Sequence, residues 1–200
     1  MGYPATDVHD ASRTDEGCGR DQVEDLSQDI PRRTPMPRRD KEKIIPETFS
    51  SDTKEFIRLL QAHRVKYVIV GGVAVIFHGH VRFTGDVDFF YADDAPNIDA
   101  LFDALKSFWA GSIPGIETSE ELAETGVIIQ FGRPPNRIDL MNRIDGVGFA
   151  HAWDTRIEFG IPDPSGEIVA FMLSREQLIQ NKRSTGRPKD QEDLTFLERA

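Results

Sequence analysis

Residues 70 to 91 read VGGVAVIFHGHVRFTGDVDFFY, an apolar stretch that carries two carboxylates two positions apart, Asp86 and Asp88. In a β-strand, residues two apart project from one face with Cα atoms roughly 7 Å apart. Asp86 and Asp88 therefore point together, and Val87, Phe89 and Tyr91 point the other way. Two like charges side by side repel, and a shared divalent cation removes that cost. A strand with one wet face would explain the pair without a metal, but Phe90 on the carboxylate side speaks against it. Asp139, in Arg137-Ile138-Asp139-Leu140-Met141, repeats the alternation. Taken alone, Asp139 reads as an ion-pair partner of Arg137 or Arg143. If its strand lies beside the Asp86–Asp88 strand, three carboxylates converge. Such a cluster suits magnesium, a hard cation that takes oxygen ligands and shares them with phosphates.

Two further features bear on phosphate. Gly71-Gly72 lies between an apolar run and a short apolar helix. Glycine lets the backbone approach an anion closely, and a helix start offers free N–H groups. The alternative is a tight strand-to-helix turn with no ligand. Downstream, NKRSTGRPKD sets Lys182, Arg183, Arg187 and Lys189 in an otherwise acidic chain. A basic island suits a triphosphate. Lys182 follows Leu178 by one helical turn, so its stem can lie along the core with the ammonium in a cleft. A solvated charge run is the plainer reading of the same residues.

The elements that must position these groups are legible from pattern. Asp52 with Glu55 offers a capping box for a helix burying Phe56, Ile57, Leu59 and Leu60. VKYVIV (65–70) reads as a buried central strand, followed by the glycine pair and a helix over VAVIFHG. Asp94 and Pro96 open a helix whose Ile98, Leu101, Phe102, Leu105, Phe108 and Trp109 recur at helical spacing, as core. GVIIQF (126–131) and NRIDLM (136–141) form a hairpin through GRPP. GFAHAWD is a short helix, and TRIEFG and EIVAFML are strands. Ser174 with Gln177 caps a helix that Gly186 and Pro188 end. A last helix holds Leu194, Phe196 and Leu197. The expected fold class is α/β (α+β), a mixed β-sheet with helices packed against it.

Bulk composition bounds the rest. The 200 residues suit one domain with a tail. Residues 1–48, charged and proline-dotted with no apolar period, are expected to be a disordered tail, and 49–200 the folded domain. PRRTPMPRRDKEK is a basic patch within that tail. No apolar run approaches the roughly 18 residues of a membrane span, and the first residues lack a secretory signal pattern. The single cysteine, Cys18, excludes an internal disulfide and suits a cytoplasmic setting. A formal charge of −10 argues against a broad nucleic-acid surface.

Together these residues resemble the polymerase-β-like nucleotidyltransferase superfamily, whose mark is a strand ending in Gly-Gly, a short helix, Asp-x-Asp on the next strand and a third carboxylate on a later one. More narrowly, GGVAVIFHGHVRFTGDVDF, RIDLMNRIDGVGF and LIQNKRSTGRPKDQEDL look like phrases of the small bacterial nucleotidyltransferases related to abortive-infection and toxin–antitoxin enzymes. The match covers about residues 56 to 198. The resemblance implies a nucleotidyltransferase-like fold and magnesium-dependent transfer of a nucleoside monophosphate from a nucleoside triphosphate to a hydroxyl acceptor. It implies that Asp86 and Asp88 bind magnesium, with Asp139 completing a second metal site and helping to deprotonate the acceptor. Gly71 and Gly72 would hold the triphosphate through backbone N–H groups, and Lys182 would steady it, with Lys189 and Asp190 close by. Arg82 and Thr84 would touch phosphate or brace the loop. The implied acceptor is a tRNA end, a protein or a small molecule, and the implied partner an antitoxin. Nucleotide or partner binding on the same fold, without transfer, is the alternative. Within these 200 residues no separate helical substrate domain is expected after the core, and the charged tail is not part of the family pattern.

Overall fold

A computed structural model of the chain describes residues 49–164 and 166–199. The expected tail and the basic patch at its end lie outside the described residues. Order begins at Phe49, which is buried and stacks on Phe159 at 6.4 Å. That anchor sets Ser50, rather than the expected Asp52, as the cap of helix α1 (Ser51–Ala62). Ser50 Oγ accepts from the Thr53 N–H at 3.1 Å, satisfying a donor the first turn leaves open. Asp52 instead lies in the first turn, where its charge complements the helix dipole. Phe56, Ile57 and Leu60 form the buried face.

The strand expected over 65–70 is shorter, β1 (Tyr67–Val70), and buried throughout. Asn97 takes the place of a neighbouring strand at its start. Its Oδ1 accepts from the Lys66 N–H at 2.6 Å, and its Nδ2 donates to the Lys66 and Ala92 carbonyls at 3.1 and 2.8 Å. Helix α2 (Gly71–Phe77) follows with no intervening loop, so the glycine pair opens the helix instead of preceding it. Then come β2 (Asp86–Tyr91), α3 (Ala95–Phe108), α4 (Glu120–Ala123), β3 (Ile128–Phe131) and β4 (Arg137–Met141). As expected, α3 is capped by Asp94, with proline in its first turn. Helix α4 was not foreseen. Glu121 holds its approach by accepting from the Glu117 and Thr118 N–H groups at 2.7 and 2.9 Å, and Leu122 is fully buried. The chain continues through α5 (Phe149–Asp154), β5 (Ile157–Asp163), β6 (Gly166–Met172), α6 (Arg175–Thr185) and α7 (Pro188–Leu197). Ser174 caps α6, and Gly186 ends it in a left-handed conformation that glycine adopts without steric cost.

The six strands form one sheet in the order β3-β4-β2-β1-β6-β5. The pairs β2–β4 and β1–β6 are parallel, and β1–β2, β3–β4 and β5–β6 antiparallel, so the sheet is mixed. The fold is α/β (α+β) with helices packed on the sheet. Phe56 of α1 meets Phe89 edge-on at 5.4 Å and Phe108 of α3 at 5.3 Å. Helix α1, with α3 beside it, thus covers the face where Val87 and Phe89 are buried. On the opposite side, Phe149 of α5 seals Phe90 at 5.1 Å. None of the described helices is long and apolar enough to cross a membrane.

Candidate active site

Alternation along β2 sends Asp86 and Asp88 to the face opposite Val87 and Phe89. The wet-face alternative does not hold, because Phe90 on that same side is 1% exposed. Parallel pairing with β4 sets Asp88 directly across from Asp139, and Asp86 across from Arg137. Ligand atoms of Asp86, Asp88 and Asp139 lie within 4.8 Å of one another. Register alone produces this convergence: a slip of one residue would turn Asp139 to the buried side and bring Ile138 and Leu140 to the carboxylate face.

The site is a two-by-two grid of three carboxylates and one guanidinium. Arg137 Nε donates to Asp139 Oδ1 at 2.7 Å, and Nη2 donates to Asp139 Oδ2 at 2.9 Å and to Asp86 Oδ2 at 2.6 Å. Asp139 Oδ2 also accepts from Gln130 Nε2 at 3.0 Å. The ion pair that Asp139 suggests when read alone is therefore present, within the carboxylate cluster. Both Asp139 oxygens already accept hydrogen bonds. Thr84 Oγ1 donates to Asp86 Oδ1 at 3.0 Å, so Thr84 orients a carboxylate.

Asp88 has no such cation bonded to it. Burial pushes its carboxyl up to about 7, the charges of Asp86 and Asp139 push the same way, and the Gly72 N–H bond and the Lys182 charge hold it down. A carboxylate crowded in this way is a fitting ligand for a divalent ion, and the donors around it are all oxygens. Gly71 makes the approach possible. Its φ is +62°, and a Cβ there would land on Asp88 Oδ2. A Cβ on Gly72 would meet Thr84 Oγ1. The glycine turn thus seats against the carboxylates, with one of its N–H groups engaged by Asp88.

The remaining expected residues form a second cluster. Lys182, 4% exposed, donates to Asp190 at 2.5 Å and pairs with Asp193 at 3.1 Å. Asp190 also accepts from Thr185 at 2.6 Å and Arg187 at 2.8 Å. Burial alone would raise the Asp190 carboxyl, but the bonds from Lys182, Thr185 and Arg187 outweigh it and hold the group at about 2. Arg82 donates to both Asp193 oxygens, at 2.8 and 3.1 Å, and the His80 ring stacks on Phe196 at 4.7 Å. Arg82 therefore braces the loop before Asp86 against α7. The Lys182 ammonium is enclosed between two carboxylates rather than standing in a cleft, and only its field reaches Asp88. Lys189 is exposed on α7.

Sequence reasoning passed over Asp193, Gln130 and the reach of Arg137 to Asp86, while it offered Arg137 as a partner of Asp139. Asp193 lies three residues after Asp190 on one helix, hence on the same side. Arg137 lies two before Asp139 on a strand, hence on the same face. Both periodicities were available. A mixed six-stranded sheet with helices packed on it, and a glycine turn set against the Asp86–Asp88 strand, is consistent with a nucleotidyltransferase-like fold. A family model described as nucleotidyltransferase of unknown function (DUF6036) matches residues 51–197, and the chain belongs to that family. None of the curated proteins compared with the chain matches it.

Proposed function

We propose that this family member transfers a nucleoside monophosphate from a nucleoside triphosphate to a hydroxyl acceptor in a magnesium-dependent reaction. The observation that carries the reading is the convergence of Asp86, Asp88 and Asp139 against the Gly71–Gly72 turn. An acceptor oxygen attacks the α-phosphorus, the bond to the bridging oxygen breaks, pyrophosphate leaves, and the hydroxyl proton passes to solvent or a nearby base. Magnesium would supply charge neutralisation and a lowered acceptor pKa. The chain's own residues prepare the place: Asp86 and Asp88 present ligand oxygens, Thr84 fixes Asp86, and Gly71 leaves room beside Asp88. Arg187 keeps Asp190 as its anchor while 70% of its side chain faces solvent, and its charge lies within reach of Asp88, so it is placed to meet phosphate. The acceptor, a tRNA end, a protein or a small molecule, and a role as a toxin held by an antitoxin, belong to the reading through the family resemblance.

The test is incubation with each labelled nucleoside triphosphate, magnesium and total cell extract, followed by fractionation into RNA, protein and small molecules. Wild type labels one fraction. Asp88→Asn and Asp86→Asn label none while unfolding at wild-type temperature or above. Undiminished labelling by either variant would falsify the assignment. A second reading, nucleotide binding without transfer, draws on the Arg137 guanidinium that already bridges Asp86 and Asp139. Magnesium-dependent triphosphate binding in a calorimeter, with no labelled product, favours it.

A further inference from the structure

The resemblance implies a pair of ions, yet one corner of the grid already holds a positive charge. We infer that Arg137 replaces one of them, so that the site takes a single divalent cation, on Asp86 and Asp88. This rests on the nucleotidyl-transfer reading and adds the stoichiometry of its site.

Geometry carries the inference. The position a second ion would share between Asp86 and Asp139 is where Arg137 Nη2 lies, 2.6 Å from one carboxylate and 2.9 Å from the other. The fork is fixed at both ends. Arg137 grows from β4 directly across from Asp86, and it grips Asp139 through two nitrogens. Planar two-point pairing of this kind is geometrically specific. Gln130 fills the outer side of Asp139. Three carboxylates offset by one guanidinium leave the charge that one divalent ion matches. The donors without that guanidinium are Asp88 and the Thr84 side of Asp86. A guanidinium that never dissociates would then supply the charge that a second, exchangeable ion supplies elsewhere.

Anomalous diffraction at the manganese edge tests this, on crystals of the chain grown with manganese and the α,β-methylene analogue of each nucleoside triphosphate. The expected map has one manganese peak, on Asp86 and Asp88, with Arg137 still on Asp139. A second peak on Asp139, with Arg137 turned away, overturns the inference and leaves the nucleotidyl-transfer reading standing. Neither manganese nor nucleotide in any crystal removes both. In solution without nucleotide, manganese titration followed by electron paramagnetic resonance gives the same answer independently. Arg137→Gln keeps polar contacts and loses the charge, so it binds manganese at least about tenfold more tightly or gains a second ion. Arg137→Lys keeps the charge without the fork, so its affinity stays nearer to wild type than that of Arg137→Gln. Equal affinity for all three chains overturns the inference. The wild-type map decides the count even where a substitution unfolds the chain.

Discussion

Replacing Lys182 by methionine, close in length and without charge, isolates what the buried clasp contributes. The ammonium bridges Asp190 and Asp193, whose side chains are 3% and 1% exposed. Truncating one partner of a buried pair costs about 3–5 kcal/mol, because the other charge is left uncompensated. Arg82 still reaches Asp193 and Arg187 still reaches Asp190, so the low end applies, roughly 3 kcal/mol. For a domain of this size that is a drop in Tm of about 6–12 °C. The same clasp sets the acid response. With the Asp190 carboxyl held at about 2, below its ordinary value, this group favours the folded state. A depressed carboxyl stabilises at pH above its unfolded value, so this contribution is intact above about pH 4 and disappears as pH falls toward 2. Urea denaturation of wild type, Lys182→Met, Asp190→Asn and the double variant, from pH 7 to pH 2, reads both effects. The double variant should recover part of the single-variant loss, and the acid-labile part should vanish with Asp190. Additive losses, or a Lys182→Met cost below about 1 kcal/mol, would show that the clasp does not hold the fold in this way.

Two further outcomes follow from single residues. Gly71 and Gly186 share a φ of +62°, but only at Gly71 would a Cβ strike Asp88, while the space around Gly186 is open. Alanine at either position should cost about 1–2 kcal/mol from backbone strain, and alanine at Gly71 alone should weaken manganese binding in a calorimeter. Asn97→Ala removes three bonds to the Lys66 and Ala92 backbone, so thermal unfolding should show a loss of roughly 2–3 kcal/mol.

The parts legible in the sequence are those in which a local period determines the outcome. Asp86, Val87, Asp88 and Phe89 alternate, and a strand has only two faces. Ser174 and Gln177 stand at cap spacing, and the structure uses that cap. Choices among local equals were not legible. Ser50 and Asp52 can both cap a helix, and burial of Phe49 decides between them. Val65 and Lys66 look as strand-like as Tyr67, yet the Val65 N–H turns back to the Leu60 carbonyl of α1, and Asn97 of α3 takes the Lys66 N–H. The convergence of Asp139 on Asp88 depends on β4 pairing with β2, which the sequence could state only as a condition. For Lys182, a helical charge run and a buried ion pair look alike until α7 is packed against α6.

The joint between Arg82 and Asp193 ties a loop made early to a helix made more than a hundred positions later. During synthesis the acidic strand leaves the ribosome well before the segment that fastens the loop in front of it. A nascent chain therefore carries Asp86 and Asp88 before it has the Asp193 carboxylate that anchors Arg82. Readiness of the site is thus scheduled by translation: the loop before Asp86 waits for α7, made more than a hundred positions later, to lock it.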